Sequence, residues 1–264
     1  MSLDPSRLID DLSSDYSSYL RSRFFFKESS LRTQFSDLLG RDSRLNAGPF
    51  LELAPPFRAG ATPRELVKSR ILDPALLHIP AGALHPDRPL YLHQQEAITA
   101  IQSGRNVIVA TGTGSGKTET YILPILNAIL AEADNGPLSP GIRALLIYPM
   151  NALANDQLKR IRELLADTPS ITFGRYIGET PIGRQDGFER FRQTWPKEPL
   201  VANEMKSREE MWDSPPHILV TNFAMLEYLL VRPQDSVFFA PGAGDLLRFL
   251  VLDEVHTYDG AKGT

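Results

Sequence analysis

The sequence predicts an α/β fold in which a parallel sheet carries helices on both faces, preceded by a small, mostly helical segment. From Leu90 onward, short apolar runs bounded by glycine, proline or polar residues alternate with longer amphipathic stretches. This alternation is typical of parallel strands joined by crossover helices. Before that point the chain has helical periodicity, interrupted by a stretch rich in proline and glycine over residues 48–60. We therefore divide it into an accessory segment, residues 1–85, and an α/β domain, residues 86–264.

Five apolar runs are the expected strands of the sheet. Each is short and rich in branched or aromatic side chains, as buried parallel strands are. The runs span residues 106–110, 144–148, 171–177, 218–221 and 249–252. Because parallel strands end at the same edge of a sheet, residues that follow them are expected to form one ligand-binding edge.

Capping residues and apolar periodicity place the helices. Asp4 and Pro5 are typical of a helix start, and Thr62 with Glu65 forms the pattern of a capping box that opens a helix through Leu72. Further helices are expected over residues 29–39, 116–133, 203–212 and 223–230.

The helix that follows the run 144–148 has one apolar stripe and several basic residues. The stripe consists of Ala154, Leu158, Ile161 and Leu165. The basic residues are expected on the other faces of the helix, and they are Lys159, Arg160 and Arg162.

Bulk composition restricts the class of protein. The chain of 264 residues is 42% hydrophobic and 23% charged, which is ordinary for a soluble globular protein. It has no cysteine, which excludes disulfides, a cysteine nucleophile and thiolate metal sites. The net charge of −4 argues against a module dedicated to nucleic-acid binding, because such domains are usually basic. With no signal-peptide pattern and no long apolar run, we expect a soluble, cytoplasmic protein.

The strongest local signal is the run Thr113, Gly114, Ser115, Gly116, Lys117 and Thr118, between an expected strand and an expected helix. Glycines in such a loop let main-chain N–H groups close around phosphate oxygens, and the helix N-terminus adds a favourable partial charge. Lys117 would reach the β- and γ-phosphates of ATP, and the Thr118 hydroxyl would bind Mg²⁺. The first consensus glycine is replaced by Thr111. The sequence therefore predicts a P-loop that departs from the strict motif at one position.

A second signal follows the last expected strand, in the run Asp253-Glu254-Val255-His256. A carboxylate at the carboxyl end of a strand can hold Mg²⁺ opposite the P-loop hydroxyl, directly or through water. An adjacent carboxylate can orient or deprotonate the attacking water. Asp253 is therefore the candidate metal residue and Glu254 the candidate base. An Asp-Glu pair alone is common at the start of a loop, so the functional interpretation of this pair depends on the presence of the P-loop.

These two runs together resemble motifs I and II of superfamily 2 helicases of the DEAD/DEAH-box group, in the DExH form. The resemblance implies a RecA-like domain that hydrolyses ATP with Mg²⁺ as cofactor. It implies that His256 couples hydrolysis to nucleic acid. The catalytic set would then be Lys117, Asp253, Glu254 and His256.

The run Tyr91-Leu92-His93-Gln94 resembles the Q motif, which precedes the P-loop in this family. A glutamine amide can donate and accept hydrogen bonds at once, which matches the N6/N7 edge of adenine. Gln94 is therefore the candidate for selecting ATP. The alternative is that this polar cluster, which includes His93 and Gln95, only caps the helix that follows it.

Three further segments resemble parts of the family that contact nucleic acid. Residues 148–153 resemble motif Ia, residues 221–226 resemble motif Ib, and residues 176–180 resemble the segment between them. In the family, these segments place helix N-termini and small polar groups against the nucleic-acid backbone. The alternative for each is an ordinary helix N-cap. The candidate contacts are Pro149, Asn151, Gly178, Thr180, Thr221 and Asn222.

A closer resemblance is to large bacterial DNA helicases of the mitomycin-repair type and their anti-phage relatives of the DISARM and Druantia type. It is carried by residues 215–222 and 253–258, with the upstream run 48–52. It implies a DNA helicase or translocase in repair or antiviral defence, with other subunits as possible partners.

Family members continue after motif II with a second RecA-like domain that carries an arginine finger. We therefore expect the chain to be an N-terminal fragment that binds ATP and hydrolyses it very slowly alone, because an arginine finger contributes about 10³–10⁵ in rate. The alternatives are an RNA helicase and an ATP-switched interaction module that does not unwind. A different P-loop enzyme, such as a kinase, is disfavoured because the motifs occur in helicase order.

Overall fold

The computed structural model describes residues 4–40, 56–112 and 114–258, and the chain forms two compact units, Met1–Pro56 and Phe57–Thr264. In the first unit, α1 (Pro5–Arg23) and α2 (Ser29–Leu39) begin where the sequence predicts. The ring of Phe35 in α2 packs on Phe24 and Phe26, with centroid distances of 6.3 and 5.3 Å. The run 48–52, which carries part of the family resemblance, lies outside the described residues.

A five-stranded parallel sheet is the centre of the second unit. Its spatial order is β3-β2-β4-β1-β5. The strands are β1 (Ala144–Tyr148), β2 (Phe173–Tyr176), β3 (Glu204–Met205), β4 (Ile218–Asn222) and β5 (Phe249–Leu252). The registers pair Tyr148 with Asn222 and Ile147 with Leu252, so β1, β4 and β5 end at the same level.

Helices cover both faces of this sheet, as predicted. The bounds of the second unit's helices are α3 (Pro63–Lys68), α4 (Leu92–Gln102), α5 (Lys117–Ala133), α6 (Asn151–Leu165), α7 (Arg184–Thr194), α8 (Arg208–Asp213) and α9 (Phe223–Val231). Side chains alternate along β1: Leu146 lies in a core cluster with residues of α3 to α6, and Leu145 in a second cluster with residues of α8 and α9. No helix of the described residues is both long and apolar enough to cross a membrane.

The prediction of a strand over residues 106–110 is wrong. No strand pairing among the described residues includes this segment, and the side chain of Ile108 is 88% exposed. On the described part of the chain, β5 likewise pairs only with β1, and Leu250 is 60% exposed. An apolar run can favour extended backbone, but a strand also needs a neighbour to complete its hydrogen bonds.

The boundary expected at residue 85 differs from the division into compact units, which falls after Pro56. The segment 57–85 packs into the core of the sheet through Leu66, Leu76 and other apolar residues. The capping box of Thr62 and Glu65 is present, but α3 ends at Lys68 because Arg70 takes a positive φ of 61°. A separate function for the accessory segment stays a prediction.

The long connection between β2 and β4 contains more structure than the sequence predicts. The helix α7 has no counterpart among the expected elements, and the helix expected over residues 203–212 is divided into β3 and α8. This segment covers α6, so Arg162 is buried rather than on a free face. Its guanidinium donates two hydrogen bonds of 2.8 Å to Glu204 and lies 5.0 Å from the ring centre of Phe191.

A buried histidine lies at the start of β4. The Nδ1 atom of His217 accepts a hydrogen bond of 2.9 Å from the N–H of Thr172. Burial, and after it the nearby charge of Arg143, lower the pKa of His217 to about 4. The neutral imidazole is therefore the form that this site stabilises.

We predict an acid-dependent loss of stability from this histidine. In the unfolded chain, His217 binds a proton below its pKa of about 6.5, whereas in the folded chain it binds one only below about pH 4. The contribution of His217 to the free energy of unfolding is therefore complete above pH ~6.5. It falls by up to about 3 kcal/mol between about pH 6.5 and pH 4. Urea unfolding at about pH 8 and pH 5 measures it, with His217→Asn as the variant that cannot titrate. Equal acid sensitivity in the two proteins would contradict the assignment.

Candidate functional site

The loop before α5 has the backbone of a phosphate-binding loop. Gly114 and Gly116 have φ values of 73° and 68°, and Gly116 is the N-cap of α5. The Nζ atom of Lys117 donates to the carbonyl oxygens of Thr111 and Gly112, at 3.0 and 3.2 Å. The lysine ammonium thus lies over the loop at the N-terminus of a helix. Thr113 lies outside the described residues.

Gln94 is buried against this loop. Its amide Nε2 donates 2.7 Å to the carbonyl of Gly116, and its Oε1 accepts 2.7 Å from the N–H of Tyr91. His93 Nε2 lies 2.9 Å from the carbonyl oxygen of Ser115, and Gln95 Oε1 accepts 2.6 Å from the N–H of Ala61. All three polar residues therefore support local structure, with Gln94 and His93 doing so at the loop itself. Selection of ATP by Gln94 stays a prediction.

Thr118 is the second residue of α5, and its hydroxyl contacts a residue of α6. It donates 3.2 Å to Oε1 of Gln157, which also accepts 3.4 Å from the Tyr121 hydroxyl. The hydroxyls of Tyr121 and Tyr148 are 3.0 Å apart. Burial raises the pKa of Tyr121 to about 12, so its hydroxyl keeps its proton at neutral pH.

Asp253 follows β5 at the same edge of the sheet. Its N–H donates 3.0 Å to the carbonyl of Ile147 in β1, which fixes its position beside the end of that strand. Burial raises the pKa of the Asp253 carboxyl, while the neighbouring charge of Lys117 opposes this shift. Asp253 and the P-loop lysine therefore lie within electrostatic reach of each other. Among the described residues, no group of three metal-ligating side chains gathers here or elsewhere.

Glu254 has an unusual backbone conformation for a residue with a side chain. Its φ and ψ are both 48°, in the left-handed region that costs a non-glycine residue about 1 kcal/mol or more. Its carboxylate is 3.3 Å from Nδ1 of His256, and both side chains are open to solvent. The turn thus presents a carboxylate and an imidazole side by side.

The asparagines expected to contact nucleic acid lie together. Asn222 Nδ2 donates 2.7 Å to Oδ1 of Asn151, and Asn222 Oδ1 caps α9 by accepting from the N–H of Met225 at 2.8 Å. Pro149 is partly exposed, and Gly178 is exposed. The four residues Pro149, Asn151, Gly178 and Asn222 are called the polar edge below.

The two threonines expected in the same role are placed differently. Thr221 is fully buried and donates 2.7 Å to the carbonyl of Tyr176. Thr180 is 5% exposed, donates 2.8 Å to the carbonyl of Arg175 and accepts 3.0 Å from the N–H of Ile177. Their hydroxyls hold the turn after β2, so the expectation that these side chains contact nucleic acid is corrected.

Two residues of the site have no signal in the sequence pattern. Gln157 contacts Thr118 across 39 positions of chain, and Arg208 donates to the carbonyls of Ile177, Gly178 and Thr180 from about 30 positions away. A glutamine in mid-helix and an arginine at a helix start are both common as solvated residues. Only the packing of α6 and α8 assigns them a contact.

We predict different outcomes for alanine at the two left-handed glycines. A Cβ atom at Gly116 would lie 2.4 Å from Nε2 of Gln94, whereas nothing lies within 4 Å of one at Gly114. Both substitutions carry the backbone cost of a positive φ, but only Gly116→Ala also displaces a buried amide. We expect Gly116→Ala to lose about 1–2 kcal/mol more than Gly114→Ala in urea unfolding. Equal losses would show that Gln94 does not pack on the loop.

Comparison with known proteins agrees with this geometry. The model of the DEAD/DEAH box helicase family matches residues 91–263. Druantia protein DruE of Escherichia coli is 28% identical and is aligned over 97% of this chain and 19% of its own length. ATP-dependent helicase Lhr-Core of Methanothermobacter thermautotrophicus is 32% identical over 64% of this chain and 18% of its own length.

A solved structure extends the comparison to the fold. The crystal structure of the DUF1998 helicase MrfA bound to DNA and AMPPNP is similar with a TM-score of 0.50 and 26% identity, over 77% of this chain and 23% of that one. The chain therefore spans about a fifth of the length of these relatives. The family match begins at the Q-motif-like run and includes the P-loop, the polar edge and Asp253. The chain belongs to the DEAD/DEAH box helicase family.

Proposed function

We propose that this chain is the ATP-binding part of a DNA helicase or translocase that acts in DNA repair or anti-phage defence. The observation that carries the proposal is the position of Asp253, which is fixed beside the end of β1, next to the polar edge and within electrostatic reach of Lys117. A motor needs this arrangement, because ATP hydrolysis must be coupled to the site that holds the nucleic acid. The relatives that are named for helicase activity, and the DNA in the MrfA structure, support it.

In the proposed mechanism, Lys117 moves from main-chain carbonyls to phosphate. Its two present hydrogen bonds are to the neutral oxygens of Thr111 and Gly112. Phosphate oxygens are stronger acceptors for an ammonium group, since a charge-assisted hydrogen bond is about twice as strong as a neutral one. The left-handed Gly114 and Gly116 leave the loop open for the phosphates, and the N-terminus of α5 adds a favourable partial charge.

The residues at this edge fit Mg²⁺, which prefers hard oxygen ligands. Thr118 offers hydroxyl lone pairs, because its proton is donated to Gln157. Asp253 offers a carboxylate whose pKa is raised by burial, so a nearby cation would favour its charged form. Thr118 and Asp253 would hold the ion, which would neutralise part of the phosphate charge when bound.

The remaining acidic and basic groups of the turn take the other roles. Glu254 is open to solvent beside Asp253 and is the residue proposed to orient the attacking water. His256, in contact with the Glu254 carboxylate, is proposed to couple that step to nucleic acid. The polar edge is proposed to contact the DNA backbone, and a second RecA-like domain, with other subunits, is the proposed partner. Such a protein would act in the cytoplasm.

We predict that Lys117→Ala weakens binding of ATP by at least about tenfold, because it removes the charge that faces the phosphates. Titration of the chain with a fluorescent ATP analogue measures the dissociation constant, with and without Mg²⁺. Lys159→Ala is the matched control, since the Lys159 side chain is 55% exposed and its ammonium is paired with Glu198. Unchanged affinity in Lys117→Ala would contradict the P-loop assignment.

A further inference from the structure

We propose that Gln157 of α6 is a positioning residue that orients the Thr118 hydroxyl for Mg²⁺ and so makes nucleotide binding depend on the metal. The inference rests on the proposed function, because it concerns the same site. Gln157 is partly buried between two hydroxyl groups of α5, those of Thr118 and Tyr121. Its amide oxygen is the acceptor for both, at 3.2 and 3.4 Å.

The direction of these hydrogen bonds determines the effect of Gln157. A hydroxyl has one proton and two lone pairs, and it can bind a cation only through a lone pair. When Thr118 gives its proton to the oxygen of Gln157, both of its lone pairs stay free of that contact. Without the acceptor, the hydroxyl would rotate, and an orientation that directs its proton toward the cation would oppose binding.

The surroundings hold Gln157 in this orientation. Tyr121 approaches the same oxygen and also lies 3.0 Å from the hydroxyl of Tyr148, which is fully buried at the end of β1. In this packing the oxygen of the Gln157 amide faces both hydroxyls, so Thr118 and Tyr121 donate to the same acceptor. The contact is therefore built into the packing of α5 against α6 and β1.

The helix that carries Gln157 also begins at the polar edge. Asn151, at the first position of α6, is bonded to Asn222. One turn beyond Gln157, Arg160 forms an ion pair of 3.2 Å with Glu119 of α5. Two contacts thus join the middle of α6 to the first turn of α5, and a third joins the N-terminus of α6 to the polar edge. A change at Thr118 is in a position to reach that edge through a single helix.

The test compares nucleotide affinity in Mg²⁺ with affinity in EDTA, using a fluorescent ATP analogue and the whole chain. We expect Gln157→Leu, which keeps the volume but removes the acceptor, to lower the gain due to Mg²⁺ by about threefold to tenfold. Affinity in EDTA should stay within about twofold of the unsubstituted chain. Gln157→Glu, which keeps an acceptor oxygen, should retain the gain. Asp156→Ala, an exposed neighbour on α6, is the control and should change neither affinity.

The outcomes separate this inference from the proposed function. An unchanged gain from Mg²⁺ in Gln157→Leu would overturn the role of Gln157 while leaving the nucleotide site in place. Equal weakening of affinity in Mg²⁺ and in EDTA would show that Gln157 only supports the packing of α6, and would also overturn it. A chain that binds no nucleotide in either condition, before any substitution, would overturn the proposed function itself.

Discussion

The common end of β1, β4 and β5 is the constraint on which the site depends. The three strands are parallel and in register, so the residues after them, Pro149, Phe223 and Asp253, reach the same edge. The hydrogen bond from the N–H of Asp253 to Ile147 extends this pairing by one step beyond β5. It fixes the acidic turn beside the end of β1, while side-chain contacts hold α5, which carries Lys117 and Thr118, to the same strand and to α6. Main-chain hydrogen bonds thus place Asp253, and side-chain contacts place the start of α5.

Three buried or partly buried arginines of the second unit serve the fold rather than a charged surface. Arg143 is fully buried, with Glu132 and the carbonyls of Ser139 and Gly141 as its partners. Arg162 is paired with Glu204, and Arg208 donates to carbonyls of the turn after β2. The polar edge itself offers neutral amides and the N-termini of α6 and α9, on a chain with a net charge of −4. If it contacts nucleic acid as proposed, such contacts would suit a motor that must release its substrate in every cycle.

Much of this could be predicted from the sequence, because the signals are local. The strands β1 and β5 have the expected bounds, and Gly116 ends the loop where the motif requires a left-handed residue. Residues 106–110 could not be assigned correctly by the same reasoning, since their apolar character says nothing about whether a neighbouring strand is present. The family and its P-loop can therefore be predicted from short sequence motifs, whereas the pairing of strands in the sheet cannot.

The roles of side chains that contact residues distant in the chain could also not be predicted from the sequence. The burial of Arg162 depends on α7 and β3, which lie more than twenty positions further along the chain. The hydroxyls of Thr180 and Thr221 have the residue type of a nucleic-acid contact, yet packing places them inside. Gln157 meets Thr118 only because α6 packs beside α5. Residue type and spacing cannot report such contacts, which depend on the packed structure.

The most direct test of the central claim is hydrogen exchange of main-chain amides with a non-hydrolysable ATP analogue and Mg²⁺. If one site joins the P-loop and the acidic turn, the analogue will slow exchange both at residues 114–118 and at residues 253–256. Slowed exchange at the P-loop with no change at the acidic turn would contradict the claim that the two form one site. Slowed exchange at neither would contradict the existence of the nucleotide site.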